Sequence, residues 1–212
     1  MIATVIGSTG LVGTALLKLL CQSDEITLIN ILVRRNSGIN HPKIKEIIVD
    51  FNDKIALEAL LPYGNAIFCC IGTTMKNVKG DKSLYRSIDY DIPIHTAIVA
   101  KTRGYKKYLL VSALGADTLS SVFYNKLKGE VENDLAKLGF ETTHIFRPSF
   151  LLGNRKETRV AENIGKNIFK FLSIIIPSKY RAIYDYQIAK AMLKKSLLNE
   201  KGSFIWYYND MK

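Results

Sequence analysis

Cysteine, tryptophan, histidine and proline are all scarce in this chain: 3 Cys, 1 Trp, 3 His and 5 Pro in 212 residues. Three cysteines cannot pair off, and two of them, Cys69 and Cys70, are adjacent inside an apolar run, so a disulfide scaffold is excluded and buried, reduced thiols are expected. His41, His95 and His144 share no ligand spacing with one another or with a cysteine, and no metal site is expected. No stretch approaches the roughly 18 uninterrupted apolar residues of a membrane-spanning helix, and no basic segment follows Met1. The expectation is a cytoplasmic protein without a membrane partner. Linkers rich in Pro, Gly or Ser are missing too, as are repeats, which leads us to expect one domain over residues 1–212.

Acidic residues are also short, 19 Asp and Glu against 30 Lys and Arg, a net charge of +11. The excess is spread as single lysines such as Lys54, Lys101, Lys137 and Lys201, the pattern of a solvated basic surface, and no nucleic-acid partner is expected from it. What remains, 48% hydrophobic and 23% charged residues, is the composition of a folded globular chain.

Short β-rich runs alternate with helical patterns from the first residue, the order that produces βαβ units and a parallel sheet. The expected strands are Ile2–Ile6, Ile26–Val33, Glu46–Val49, Ala66–Cys70, Lys107–Ser112, Thr142–Phe146 and Ser203–Tyr208. Helices are expected over Leu11–Cys21, Ala56–Leu61, Ile92–Arg103, Ser121–Leu138, Glu162–Ile175 and Tyr186–Leu198. The fold class is α/β, a doubly wound parallel sheet of Rossmann type, with a small irregular C-terminal region on the substrate side.

Between the first strand and the first helix lies Gly7-Ser8-Thr9-Gly10-Leu11-Val12-Gly13. Glycine at positions one, four and seven lets the turn reach positive φ, the backbone approach a pyrophosphate and the helix pack against the strand, while the helix N-terminus offers free N–H groups. The seven residues are assigned to a dinucleotide site, on the strength of strand before and helix after. An enzyme preferring the cofactor without a 2′-phosphate would carry Asp or Glu about 20 residues further on, to hold the ribose. This chain has Arg34-Arg35 there, and paired guanidinium groups suit a phosphate dianion, so NADP(H) is the expected cofactor.

Tyr-x-x-x-Lys places both side chains on one helical face, and it occurs three times, at Tyr124/Lys128, Tyr186/Lys190 and Tyr208/Lys212. Chance alone supplies about one occurrence in a chain of this make-up. Only the first opens a helix soon after an apolar strand, and that strand ends in Ser112, at the carboxyl edge where ligands of doubly wound sheets sit. Hydride addition to a carbonyl leaves an alkoxide that must be protonated. A phenol does this when a cation lowers its pKa from about 10, so Tyr124 is the expected proton donor, Lys128 the cation and Ser112 a donor to the substrate oxygen.

The glycine turn with Ser112, Tyr124 and Lys128 resembles the short-chain dehydrogenase/reductases. Phe68-Cys69-Cys70-Ile71-Gly72-Thr73-Thr74, Val111-Ser112-Ala113-Leu114-Gly115-Ala116-Asp117, Tyr124-Asn125-Lys126-Leu127-Lys128-Gly129-Glu130-Val131-Glu132 and Phe146-Arg147-Pro148-Ser149-Phe150-Leu151-Leu152-Gly153-Asn154-Arg155, as an ordered set, resemble the atypical subgroup around the HIV Tat-interacting oxidoreductase. The resemblance implies an NADP-binding Rossmann fold with Ser112, Tyr124 and Lys128 in the catalytic places. It implies further that Cys70, Ile71, Gly72 and Thr73 line the cofactor, and that Pro148 and Ser149 lie by the nicotinamide. The subgroup often carries a second serine and a lysine where Ala113 and Leu114 stand, so an auxiliary polar role is absent here.

Asp50 and Phe51 stand where relatives hold an acidic residue near the adenine, though Asp50 equally suits a turn. Arg155 and Arg159 could hold an acidic substrate or the cofactor phosphates, or be plain surface charge. The 160–180 segment reads as core or lid. His144, inside a strand, reads as packed. Two functions follow: an NADP(H)-dependent oxidoreductase acting on a small carbonyl, and an NADP(H)-binding sensor or scaffold without turnover. The substrate and the choice between monomer and homodimer are not legible.

Overall fold

The computed structural model describes residues 1–152 and 180–212. The helix expected over 162–175, together with Arg155 and Arg159, lies outside the described residues. The chain runs β1 (Ile2–Ile6), α1 (Leu11–Gln22), β2 (Leu28–Val33), β3 (Ile44–Ile48), α2 (Lys54–Leu60), β4 (Ala66–Cys69), α3 (Lys82–Arg86), a π-helical turn (Ser87–Asp91), α4 (Ile92–Thr102), β5 (Lys107–Val111), α5 (Phe123–Lys137), β6 (Thr142–Phe146), β7 (Leu151–Leu152), β8 (Ile183–Tyr184), α6 (Asp185–Ser196), β9 (Gly202–Trp206) and α7 (Tyr208–Met211).

Seven strands form one sheet in the order β3-β2-β1-β4-β5-β6-β9, every pair parallel. This is the expected doubly wound sheet. Its central strands are apolar on both faces because helices cover both. Alternate residues sort the strands cleanly: Ala3, Val5, Ile29, Ile31, Phe68 and Leu109 pack with α1 and α6 on one face. Ile6, Leu32, Ile67, Cys69, Tyr108 and Leu110 pack with α2, α4 and α5 on the other. On α5, Leu127, Val131 and Leu135 recur one turn apart and are buried, which leaves that helix's register little freedom. Strand order reverses between β1 and β4, so the crevice where ligands bind such sheets opens at the carboxyl ends of β1, β4 and β5.

Five elements were not legible. The helix expected from Ile92 is preceded by α3, capped by the Asp81 carboxylate on the Ser83 and Leu84 amides, and by the π turn. Pro93 supplies the physical reason: it has no N–H for the carbonyl of residue 89, so the regular ladder cannot run through it and the preceding turn widens. β7 and β8 are two-residue strands paired with each other, too short to leave a pattern. The last strand ends at Trp206 rather than Tyr208, and α7 follows. Among the described residues, no helix is long and apolar enough to cross a membrane.

His144 on β6 is fully buried, stacked on Phe204 at 5.4 Å, and its Nδ1 accepts from the Trp206 indole at 3.1 Å. Burial, with Lys195 and Lys107 nearby, pushes its imidazole down to about 4 from the ordinary 6.5. The unfolded chain therefore takes up a proton that the fold refuses. Stability is full above about pH 6.5 and falls as the pH drops towards 4, by on the order of 3 kcal/mol. Urea denaturation across that range should show the loss. A His144→Leu variant should flatten it by one titrating group, and an unchanged slope would contradict this account.

Candidate active site

The turn after β1 is held by backbone geometry. Gly7 has φ +79°, and a Cβ there would lie 2.6–2.7 Å from the Cys70 and Ile71 backbone. Gly13 sits so close that a Cβ would meet the Gly7 carbonyl oxygen at 2.1 Å. α1 thus starts hard against β1, with Gly10 as N-cap and no side chain capping it, so its first amides face a cleft of about 1230 Å³. Thr9, Gly10, Leu11 and Val12 line that cleft, and so do Arg35, Cys70, Ile71, Gly72, Thr73, Ser112, Tyr124 and Lys128.

Other expected site residues are placed elsewhere. Ser8 is 1% exposed beneath the turn, its Oγ without a hydrogen-bond partner among the described residues. Arg34 is exposed after β2 and does not line the cleft. Asp50 accepts from the Asn52 amide at 2.9 Å, forming a turn, and Phe51 is buried in the core; neither lines the cleft, since the side chain of one is spent on its own loop and that of the other on packing. Pro148 lines no described cavity. Ser149 donates to the Arg181 carbonyl and faces a second pocket of about 900 Å³.

Tyr124 stands between the two, lining both the cleft and the second pocket, with its ring edge-on to Tyr85 at 6.4 Å. One turn along α5, the Lys128 ammonium is buried and pairs with Asp89 Oδ2 at 2.9 Å. Burial alone would lower the lysine; Asp89 beside it, and Tyr124, outweigh burial and hold it above its ordinary value. Asp89 Oδ1 also accepts from the Thr73 amide at 2.7 Å, so one buried carboxylate ties the lysine to the loop after β4. Asp89 left no signal in the sequence, because it arrives from the π turn.

Ser112 departs from expectation. Its hydroxyl donates to the buried Glu132 carboxylate, which Arg147 grips through Nε at 3.0 and 3.1 Å and through a terminal nitrogen. Glu132 lies one turn beyond Lys128 on the same face of α5, a spacing that could have flagged it. Arg147 reaches on to the Tyr207 hydroxyl at 3.3 Å and lines the second pocket with Asn125, Tyr207 and Asn209. Cys69, the partner strand residue to Ile6, is buried and its thiol pushed up to about 11, an inert group; the rise of Cys70 has the same cause, burial. Among the described residues no group of His, Cys, Asp or Glu could hold a metal.

A parallel sheet with a glycine turn at its switch point and a Tyr-Lys pair across the same cleft defines a Rossmann-like α/β fold. Solved structures agree. UDP-N-acetylglucosamine 4-epimerase from Methanobrevibacter ruminantium, in complex with UDP-N-acetylmuramic acid, superposes at a TM-score of 0.72 over 97% of this chain and 76% of its own, at 17% identity. The Bordetella bronchiseptica enzyme WbmH in complex with NAD+ does so at 0.69 over 97% and 74%, at 13% identity. At those identities the fold is what is shared. The chain belongs to the HIM1 family, which matches residues 26–182. Relatives include "Protein FMP52, mitochondrial" of Eremothecium gossypii, 34% identical over 89% of this chain and 83% of the relative, and that of Meyerozyma guilliermondii, 34% identical over 93% and 86%. These names correct the cytoplasmic expectation, which rested on the lack of a long apolar run, on the residues that follow Met1 and on the unpaired cysteines.

Proposed function

We propose that the protein is a mitochondrial NADP(H)-dependent oxidoreductase acting on a small carbonyl compound. One observation carries the reading: the uncapped α1 turn, the Gly72-Thr73 loop and the Tyr124–Lys128–Asp89 set line one cleft. The residues present fit a nicotinamide dinucleotide. The close approach at Gly7 and Gly13 leaves a cradle of bare amides for a pyrophosphate, and Arg35 stands at its edge to meet a 2′-phosphate. The bound cofactor supplies a hydride. Tyr124, at the junction of cleft and second pocket, delivers the proton to the reduced oxygen, and the Lys128 charge stabilises the phenolate left behind. Asp89 keeps that ammonium charged and aimed. The likeness to the atypical subgroup around the HIV Tat-interacting oxidoreductase supports this assignment of roles.

For the substrate, Arg147 is the one cation among the described residues of the second pocket, and Glu132 already neutralises it. That supports an uncharged carbonyl rather than the nucleotide sugars named with the structural neighbours. Arg35→Asp should weaken NADPH binding about tenfold or more and leave NADH binding within about twofold; calorimetry giving equal losses would remove the 2′-phosphate assignment. A second reading, an NADP(H) sensor without turnover, is favoured by Ser112, whose only proton is spent on Glu132. No turnover across a carbonyl panel, with a conformational response that differs between NADPH and NADP+, would select it.

A further inference from the structure

Ser112 and Glu132 are 4% and 6% exposed, so little water competes for the bond between them. A carboxylate gripped at both oxygens by a guanidinium is ionised and has no proton to give. The serine must therefore be the donor, and a hydroxyl has one proton. What Ser112 turns to the cleft it lines is lone pairs alone. A carbonyl oxygen offers it nothing; a ligand O–H or N–H does.

We propose that Glu132 is a positioning residue that makes Ser112 a hydrogen-bond acceptor, so that the site selects carbonyl substrates bearing a hydroxyl next to the reacting carbon and leaves Tyr124 as the sole proton donor of the pair. The proposal rests on the reading of the cleft as an oxidoreductase site. Arg147 extends the device: it anchors Glu132 from the second pocket, where Tyr207 holds its other arm. In a Glu132→Gln variant, the Arg147 N–H groups keep the amide oxygen, the amide NH₂ turns to Ser112, and the serine's proton is released towards the cleft. The variant reverses the polarity of Ser112 without changing the size of any side chain.

Two measurements on the full chain test this. The first needs no substrate. In protein labelled with ¹³C-serine, Ser112 should show a slowly exchanging hydroxyl proton, identified by its loss in Ser112→Ala and shifted in Glu132→Gln. Exchange as fast as that of exposed serines would overturn the proposal even if Glu132→Gln failed to fold. The second compares reduction of hydroxyacetone and 2-butanone by NADPH, two ketones in which one carries a hydroxyl where the other has a methyl. The wild type should favour hydroxyacetone about tenfold in kcat/KM, and Glu132→Gln should bring the ratio to within about twofold of unity. A preference untouched by Glu132→Gln, or none in the wild type, would contradict the proposal. If neither ketone is reduced, the oxidoreductase reading loses its support while the hydroxyl resonance still decides the role of Glu132.

Discussion

Tyr124→Phe is expected to lower carbonyl turnover by about 10²–10⁴-fold, the range a positioned general acid supplies, with NADPH affinity unchanged within about twofold. The asymmetry follows from where the residue stands. Tyr124 is 39% exposed, packs edge-on to Tyr85, and loses only one oxygen in the exchange, so neither fold nor glycine turn is disturbed. The substitution removes the proton and leaves Lys128 and Asp89 in place. Steady-state kinetics beside calorimetry of NADPH would show kcat falling alone. A variant that kept its turnover would remove Tyr124 from the chemistry.

Asp89→Ala should strongly destabilise the fold. Asp89 and Lys128 have side chains 1% and 5% exposed, and breaking a buried pair by deleting one partner costs about 3–5 kcal/mol. Deletion also orphans the Thr73 amide. In the native protein the lysine sits above its ordinary value, so the contribution of the pair is complete at neutral pH and is lost only as pH rises through the lysine's own range. Without Asp89, burial loses its chief opponent and the lysine's pKa falls. Urea denaturation at neutral pH should find the loss, with NADPH affinity reduced as the loop after β4 loosens. A loss under about 1 kcal/mol would show that the pair is solvated in solution.

Much of this was legible in one sequence. β1, β6 and the start of α1 read residue for residue, because strands covered on both faces are continuous apolar runs and three glycines mark the turn between strand and helix. The strand that precedes them distinguishes Tyr124 and Lys128 from two equivalent motifs, and both line the cleft. The rest lay in long-range placement. Asp89 and Lys128 are brought together by a π turn whose only trace is Pro93, and Arg147 reaches Glu132 from the adjoining end of another element. Neither pairing has a periodicity to betray it. Asp50 and Phe51 illustrate the converse: adjacency to a strand end suggested a ligand, while local turn chemistry and core packing claimed both side chains.

The central claim is a nicotinamide dinucleotide site at the α1 turn with a preference for the 2′-phosphate, and the most direct measurement is a calorimetric titration of the purified protein with NADPH and with NADH at one fixed salt concentration. The account predicts saturable binding of both, with NADPH at least about tenfold tighter, a difference supplied by Arg35. Binding of neither would contradict it and leave the cleft without the cofactor on which the proposed chemistry depends.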